Sequence, residues 1–326
     1  MKTSTRVALI VAAVLIVAGV ILVGGTLLRG NSAGDLFASR ELKTREYEIT
    51  DAFTAISVED TVSDISLVPS KGKECRVVCR EDPREPHVAA VESGTLTVRT
   101  QKSTKWYENI SFGGISAESP SVTIYLPKGE YETLTVKTDT GDVSVPEAFR
   151  FGTARIDSDT GDIECLAPVN DTTEIATDTG DIRIENARQG DVVLSTHTGR
   201  ITLTSLALSG RLTVKSHTGH VVLTDMTCFD ADIQTTTGKV TLTGALISGL
   251  MKIETDTGDV TLDRCDAGEA EIETDTGDVT GTFLSDKIFL VSSDTGDIDV
   301  PRSVTGGRCE VDTDTGDIRL SVDPLS

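Results

Sequence analysis

The chain has 326 residues, of which 52 are acidic and 30 are basic, so its formal net charge at pH 7 is −22. This balance argues against nucleic acid or anionic lipid as a binding partner, because both favour basic surface patches. Aromatic residues make up only 4% of the chain. The core must therefore consist of aliphatic residues and threonine, which suit narrow stacked strands.

An uncharged, apolar segment covers residues 7–28. As a helix it would be roughly 33 Å long, enough to cross a hydrocarbon core of about 30 Å. Lys2 and Arg6 precede it and only Arg29 follows directly, so the positive-inside rule places residues 1–6 in the cytoplasm. We predict a single-pass transmembrane anchor in the cell membrane and an extracytoplasmic body. A long cleaved signal peptide is the alternative, and it would also export the body.

Two segments separate this anchor from the regular part of the chain. Residues 29–45 are rich in Gly, Ser and charge, which predicts a linker. Residues 46–137 contain strand-like runs separated by loops with Pro and Gly. Within them, residues 62–65 (Val-Ser-Asp-Ile) resemble a degenerate copy of the motif that follows. We predict an irregular cap of the same repeat array, since terminal repeats are atypical; a separate small β domain is the alternative.

Residues 138–326 form a regular repeat array. Six residues close to Thr-Asp-Thr-Gly-Asp-Val/Ile recur ten times, and their glycines are 19 or 20 residues apart. Such a period predicts a solenoid, in which each coil buries its apolar face against its neighbours. Positions are numbered below from the glycine of each repeat. The glycines are Gly141, Gly161, Gly180, Gly199, Gly219, Gly238, Gly258, Gly277, Gly296 and Gly316.

Each repeat alternates with period two, which predicts strands. Positions −7 and −5 are mostly apolar, as are +2 and +4, and a third apolar face lies near +7. Threonine or serine at −3 and threonine at −1 share the parity of the apolar pair, so we predict that both point inward and form a buried ladder between coils. The sequence predicts an all-β parallel β-helix with two or three short strands per coil, about 48 Å long, preceded by one transmembrane helix.

These features resemble a known family. A lone N-terminal anchor, an irregular β region ending in Tyr125-Leu126-Pro127 and tandem Thr-Asp-Thr-Gly-Asp-Val/Ile coils are similar to the bacterial putative-adhesin family, which includes the LiaG-like envelope proteins. The resemblance covers residues 46–326. It implies a β-solenoid displayed at the cell surface with a role in adhesion or envelope stress, and it brings no catalytic residues to this chain.

Stacking converts two outward repeat positions into columns of aspartate. Carboxylates about 4.8 Å apart repel one another, and hard cations with oxygen ligands would relieve the repulsion. The columns therefore predict a row of Ca²⁺ or Mg²⁺ sites; the alternative is that the aspartates form turns and are solvated and screened by salt. The column residues are Asp139, Asp159, Asp178, Asp256, Asp275, Asp294 and Asp314 at −2, and Asp142, Asp162, Asp181, Asp259, Asp278, Asp297 and Asp317 at +1.

Three central coils, those of Gly199, Gly219 and Gly238, carry none of these aspartates. We call their outward residues at −2 and +1 the central band: His197, Arg200, His217, His220, Thr236 and Lys239. The change of charge predicts a localised partner-binding site, for a surface glycan or a protein, at His197, Arg200, His217, His220 and Lys239. One alternative is a transition-metal site built from the three histidines. Another is that the band only relieves the acidic stripe, with Arg200 and Lys239 pairing with neighbouring aspartates.

The six cysteines do not form a column of stacked disulfides. Cys165 and Cys309 occupy apolar positions, so we predict small buried hydrophobic residues. Cys75 and Cys79 lie about 13 Å apart on an extended strand, too far for a disulfide without a bend.

Catalysis is disfavoured by the regular spacing. Polysaccharide-cleaving β-helices need a cleft walled by long loops, and a spacing fixed at 19 or 20 residues leaves almost none. We predict a non-enzymatic adhesin or scaffold at the cell surface. The alternative is an envelope-stress sensor or modulator acting through a membrane partner.

Overall fold

The computed structural model describes residues 42–101, 119–185 and 187–324, and these residues are all-β. The predicted anchor at residues 7–28 lies outside them. Within the described ranges, no helix is long and apolar enough to cross a membrane.

The described residues form 28 strands. The N-terminal strands are β1 (Lys43–Ile49), β2 (Ala55–Glu59), β3 (Asp64–Pro69), β4 (Cys75–Glu81), β5 (His87–Glu92), β6 (Thr95–Thr100), β7 (Ser121–Leu126), β8 (Gly129–Thr140) and β9 (Val143–Val145). The strands of the next coils are β10 (Phe149–Thr160), β11 (Ile163–Cys165), β12 (Val169–Thr179), β13 (Ile182–Glu185), β14 (Arg188–Thr198), β15 (Ile201–Thr204), β16 (Ala207–Leu208), β17 (Leu212–Thr218), β18 (Val221–Thr224), β19 (Thr227–Cys228), β20 (Ala231–Thr237) and β21 (Val240–Thr243). The last strands are β22 (Leu246–Thr257), β23 (Val260–Thr276), β24 (Val279–Phe283), β25 (Lys287–Thr295), β26 (Ile298–Asp299), β27 (Gly307–Thr315) and β28 (Ile318–Val322).

The predicted parallel β-solenoid is confirmed. Each coil contributes one strand that ends just before its glycine and a second that begins two residues after it. The two series stack in register as two parallel sheets: Leu194 pairs with Val214 in one, and Ile201 pairs with Val221 in the other. The apolar residues at −7, −5, +2, +4 and +7 meet between the sheets in one continuous core.

The predicted orientation of the −1 threonines is wrong. Except for Ser293, the −3 residues are buried, as Thr196 shows, but the −1 residues, such as Thr198, are exposed. The −2 and −1 residues are consecutive and both face solvent, so the alternation of the strand ends at −3. Several of the buried hydroxyls join neighbouring coils through a backbone carbonyl; Thr196 Oγ1, for example, donates to the Gly180 oxygen at 3.3 Å. The hydroxyls of Ser158, Ser216 and Thr255 have no hydrogen-bond partner among the described residues.

The glycine column is required by close stacking. At each of the ten glycines, an added Cβ would lie 1.7 to 2.2 Å from a carbonyl oxygen of the adjacent coil. The tightest case is Gly219, where the distance to the Gly199 oxygen would be 1.7 Å. Any other residue must therefore displace the backbone of the neighbouring coil.

The order of the coils departs from chain order at both ends. The coil of β2 and β3 lies between the coil of β6 and β7 and the coil of β8 and β9. At the other end, the coil of β27 and β28 lies between the β23–β24 pair and the β25–β26 coil. At the N-terminal end the chain forms the inner coil first, then the outer one, and crosses back over the inner coil to begin β8. At the C-terminal end it passes over one coil position and returns to fill it.

Antiparallel strands cover the N-terminal end. β4 pairs with β7 and β1 pairs with β4, while β5 pairs with β6. β1 begins at Lys43, inside the segment predicted as a linker. The N-terminal region shares the core of the regular coils.

Candidate functional site

The +1 aspartates form a hydrogen-bonded ladder along the edge of the rod. Except for that of Asp297 in the outermost coil, each Oδ1 accepts the backbone N–H of the +1 residue in the adjacent coil; Asp162 accepts from Asp181 at 2.8 Å. The ladder begins in the cap, where Asp64 Oδ1 accepts from the N–H of Asp142 at 3.1 Å. This confirms residues 62–65 as a degenerate copy of the motif. The ladder gives the +1 carboxylates a turn-stabilising role.

The hydrogen-bond acceptors of the ladder change in the central band. Asp181 accepts the N–H of Arg200 at 2.7 Å, but an arginine side chain has no acceptor with which to continue. His220 restores the pattern, because its Nδ1 accepts the N–H of Lys239 at 3.0 Å. Lys239 Nζ then pairs with Asp259 Oδ2 at 2.5 Å, the pairing that belongs to the alternative in which the band only relieves the acidic stripe. Hydrogen bonds from Lys239 and from the Asp278 N–H lower the pKa of Asp259.

The −2 position of the central band opens into a shallow groove. His197 and His217 stack face to face, with ring centroids 4.6 Å apart and planes 11° from parallel. They line a groove of about 520 Å³ together with outward residues of six consecutive coils. The floor next to the rings consists of Ser195, Lys215, Gln234 and Thr236, and carboxylates lie at both ends: Asp157, Asp178, Glu254 and Asp256.

The predicted partner-binding residues therefore divide into two sets. His197 and His217 are stacked neighbours in the groove, as expected from the column. Arg200, His220 and Lys239 lie at +1, beyond the glycine turn, in the hydrogen-bonded edge described above. Of the five residues, the structure brings together the two at −2.

The predicted row of calcium sites remains a prediction. The −2 aspartates are exposed, and one oxygen of most +1 aspartates already accepts a backbone N–H. Within the described ranges, neither column brings three ligand atoms within 4.8 Å of one another. Any cation here would have to complete its shell with water.

A second polar cluster lies in the cap, and sequence reasoning missed it. His87 Nε2 is 2.7 Å from Asp60 Oδ2, and His87 Nδ1 is 2.8 Å from Glu81 Oε2; all three residues are buried. Burial opposes the charge on Asp60, but hydrogen bonding and attraction to His87 lower its pKa to about 2. Burial and the nearby carboxylates raise the pKa of the Cys79 thiol to about 12. The residues are scattered over three strands or loops outside the repeat, so no spacing indicated them.

Comparison with known proteins identifies the kind of fold. The family model described as Toastrack DUF4097 matches residues 53–245 and 209–324, and a search of curated proteins finds no match. Three solved structures are similar. A putative adhesin from Bacteroides fragilis is 12% identical over 87% of this chain and 98% of its own, with a TM-score of 0.44. A putative lipid binding protein from Parabacteroides distasonis is 17% identical over 74% and 94%, with a TM-score of 0.46. A putative adhesin from Parabacteroides merdae is 14% identical over 86% and 96%, with a TM-score of 0.45.

Proposed function

The chain belongs to the Toastrack DUF4097 family, and on that premise we propose that it is a non-enzymatic scaffold at the bacterial cell surface that binds a neutral glycan along the central groove. In this proposal residues 7–28 anchor the chain in the membrane and the solenoid presents the groove outside. The observation that carries the proposal is that the groove is centred on the three coils that lack the column aspartates.

The chemistry of the groove suits a polyhydroxylated ligand. Its floor offers hydroxyl, amide, imidazole and ammonium groups, which both donate and accept hydrogen bonds. His197 and His217 each use one ring face for their mutual stacking, and their ring nitrogens add hydrogen-bonding groups to the groove. Specificity in such a site comes from hydrogen bonds that orient the ligand.

Charge and length restrict the ligand further. Carboxylates at both ends of the groove and a net charge of −22 disfavour an anionic polysaccharide. Six coils spaced about 4.8 Å apart give the groove a length of about 24 Å. That length accommodates several sugar units of a linear chain, so a neutral oligosaccharide is the ligand class that fits.

A direct binding experiment tests the proposal. The purified full chain is titrated with neutral and anionic cell-wall oligosaccharides, and binding is followed by calorimetry. We expect neutral oligosaccharides to bind, and the double variant His197→Ala/His217→Ala to bind at least about tenfold more weakly, a loss of roughly 1.4 kcal/mol.

The matched control uses the same column outside the groove. Asp275→Ala/Asp314→Ala removes two outward −2 side chains that do not line the groove, and it should bind like the unmodified protein. Equal binding by the histidine variant, or no binding of any neutral oligosaccharide by the unmodified chain, would refute the proposal.

A further inference from the structure

Three potential metal ligands of different chemistry converge in the cap. Cys79 Sγ, a carboxylate oxygen of Glu81 and a ring nitrogen of His87 all lie within 4.8 Å of one another, and all three residues are buried. Among the described residues, this is the one group of three potential metal ligands whose ligand atoms lie this close together. We propose that Cys79, Glu81 and His87 bind a zinc ion.

The ligand set favours zinc over the hard cations. Thiolate, imidazole and carboxylate are all zinc ligands, whereas calcium and magnesium are bound through oxygen alone. With Zn–S near 2.3 Å and Zn–N or Zn–O near 2.0 to 2.1 Å, tetrahedral ligand atoms lie about 3.3 to 3.6 Å apart. The 2.8 Å separation of His87 Nδ1 and Glu81 Oε2 would have to widen by about half an ångström. Small side-chain rotations can provide this.

The neighbours of the cluster already orient the ligands. His87 Nε2, the ring nitrogen that would not face the ion, lies 2.7 Å from Asp60 Oδ2. A carboxylate in this place fixes the ring and its tautomer in zinc sites generally. Asp60 is itself held by Thr100 Oγ1, which donates to its Oδ1 at 3.2 Å. On the other side, Arg45 Nε lies 3.3 Å from Glu81 Oε1. Glu81 Oε2 accepts the backbone N–H of His87 at 2.6 Å, which holds it beside the imidazole and leaves its second lone pair for the ion.

The charges of the site are compatible with a divalent cation. Zinc ligands must be deprotonated, so binding releases the thiol proton of Cys79 and the proton between His87 and Glu81. Two protons leave and two positive charges arrive, so the net charge of this buried region does not change. The cation also supplies the attraction that stabilises a thiolate in a buried site.

The ion would join separate parts of the cap. Cys79 and Glu81 lie on β4, which belongs to one sheet, and His87 begins β5, which belongs to the other. Asp60 follows β2. A zinc ion here would fasten the two antiparallel cap strands to each other, and none of its ligands lines the central groove. This inference is independent of the proposed glycan binding.

Cobalt substitution gives a test that reports the thiolate directly. The full chain is stripped with a chelator and titrated with Co²⁺ and then Zn²⁺. We expect one equivalent to bind, with a thiolate-to-cobalt charge-transfer band that zinc abolishes. Cys79→Ala and Cys79→Ser should lose the band and bind at least about 100-fold more weakly. Asp60→Asn should keep the band and weaken binding about 10- to 100-fold.

Cys165→Ala is the matched control, because Cys165 is equally buried and lies in the regular coils, outside the cluster. It should retain the band and the affinity of the unmodified chain. Circular dichroism confirms that each variant is folded. Absence of the band in the unmodified chain, or undiminished binding by a folded Cys79 variant, would overturn the proposal and leave the cluster as a hydrogen-bonded network only.

Discussion

Gly316 stacks directly against Gly277, although Gly296 lies between them in the sequence. An added Cβ at Gly316 would meet the Gly277 oxygen at 2.0 Å, and one at Gly296 would meet the Gly316 oxygen at 2.0 Å. The Gly277 N–H donates to Thr315 and the Gly316 N–H donates to Thr295. The coil of Gly316 is therefore an inner coil, and the coil of Gly296 is the outermost one.

Engineered disulfides should report this order. Thr276 pairs with Thr315, and Thr315 pairs with Thr295, and all three are exposed. Adjacent strands lie about 4.8 Å apart, within the Cα range of a disulfide, whereas two strand spacings exceed it. We expect Thr276→Cys/Thr315→Cys and Thr295→Cys/Thr315→Cys to cross-link under mild oxidation.

The control pair is Thr276→Cys/Thr295→Cys, which joins consecutive repeats of the sequence. It should stay reduced, as judged by gel mobility before and after reduction. Efficient cross-linking of this pair would mean that the coils stack in chain order.

Substitution of a column glycine should destabilise the rod strongly. Gly219→Ala places a Cβ 1.7 Å from the Gly199 oxygen, in the middle of the stack and at a φ of +159°. The neighbouring backbone must move, so we expect a loss of at least about 3 kcal/mol in unfolding free energy. Urea denaturation measures it.

Gly129→Ala is the corresponding control, since nothing lies within 4 Å of the added Cβ. Its effect should stay within about 1 kcal/mol. Similar losses for the two variants would show that close stacking is not the reason for the glycine column.

The repeat made most of the fold predictable, because its columns carry the apolar pattern of the core and the bend at each glycine. It also predicted that His197 and His217 stack. It did not predict that the inward and outward alternation of side chains ends at −3. Positions −3 and −1 both carry small hydroxyl residues, so the sequence does not show that the turn begins between them. The coil order at the two ends depends on packing between distant segments. The cluster of Asp60, Glu81 and His87 lies in the cap, where no repeat relates one residue to another.

The six cysteines should be unreactive in the folded protein. All are free and buried. Burial raises the pKa of Cys165 and Cys265 to about 11 and that of Cys228 and Cys309 to about 12. A raised thiol pKa means less thiolate, the reactive form, at pH 8. An aromatic disulfide reagent should therefore label no thiol of the native chain and all six in denaturant. Rapid labelling of any thiol before unfolding would contradict this.

The two aspartates of one motif should differ in their contribution to stability. Asp162, at +1, accepts the N–H of Asp181 at 2.8 Å, whereas Asp159, at −2, is exposed. Asp162→Ala removes the acceptor and should cost about 1 kcal/mol of unfolding free energy. Asp159→Ala should change it by less than about 0.5 kcal/mol, as is usual for exposed side chains. Thermal and urea unfolding of both variants, in chelator, measures the difference without any contribution from bound calcium.

If Asp159→Ala proved the more destabilising, the +1 ladder would not be what stabilises the turn. Repeating the measurement in millimolar calcium then separates the two roles, because an ion bound by the columns would stabilise the unmodified protein more than either variant.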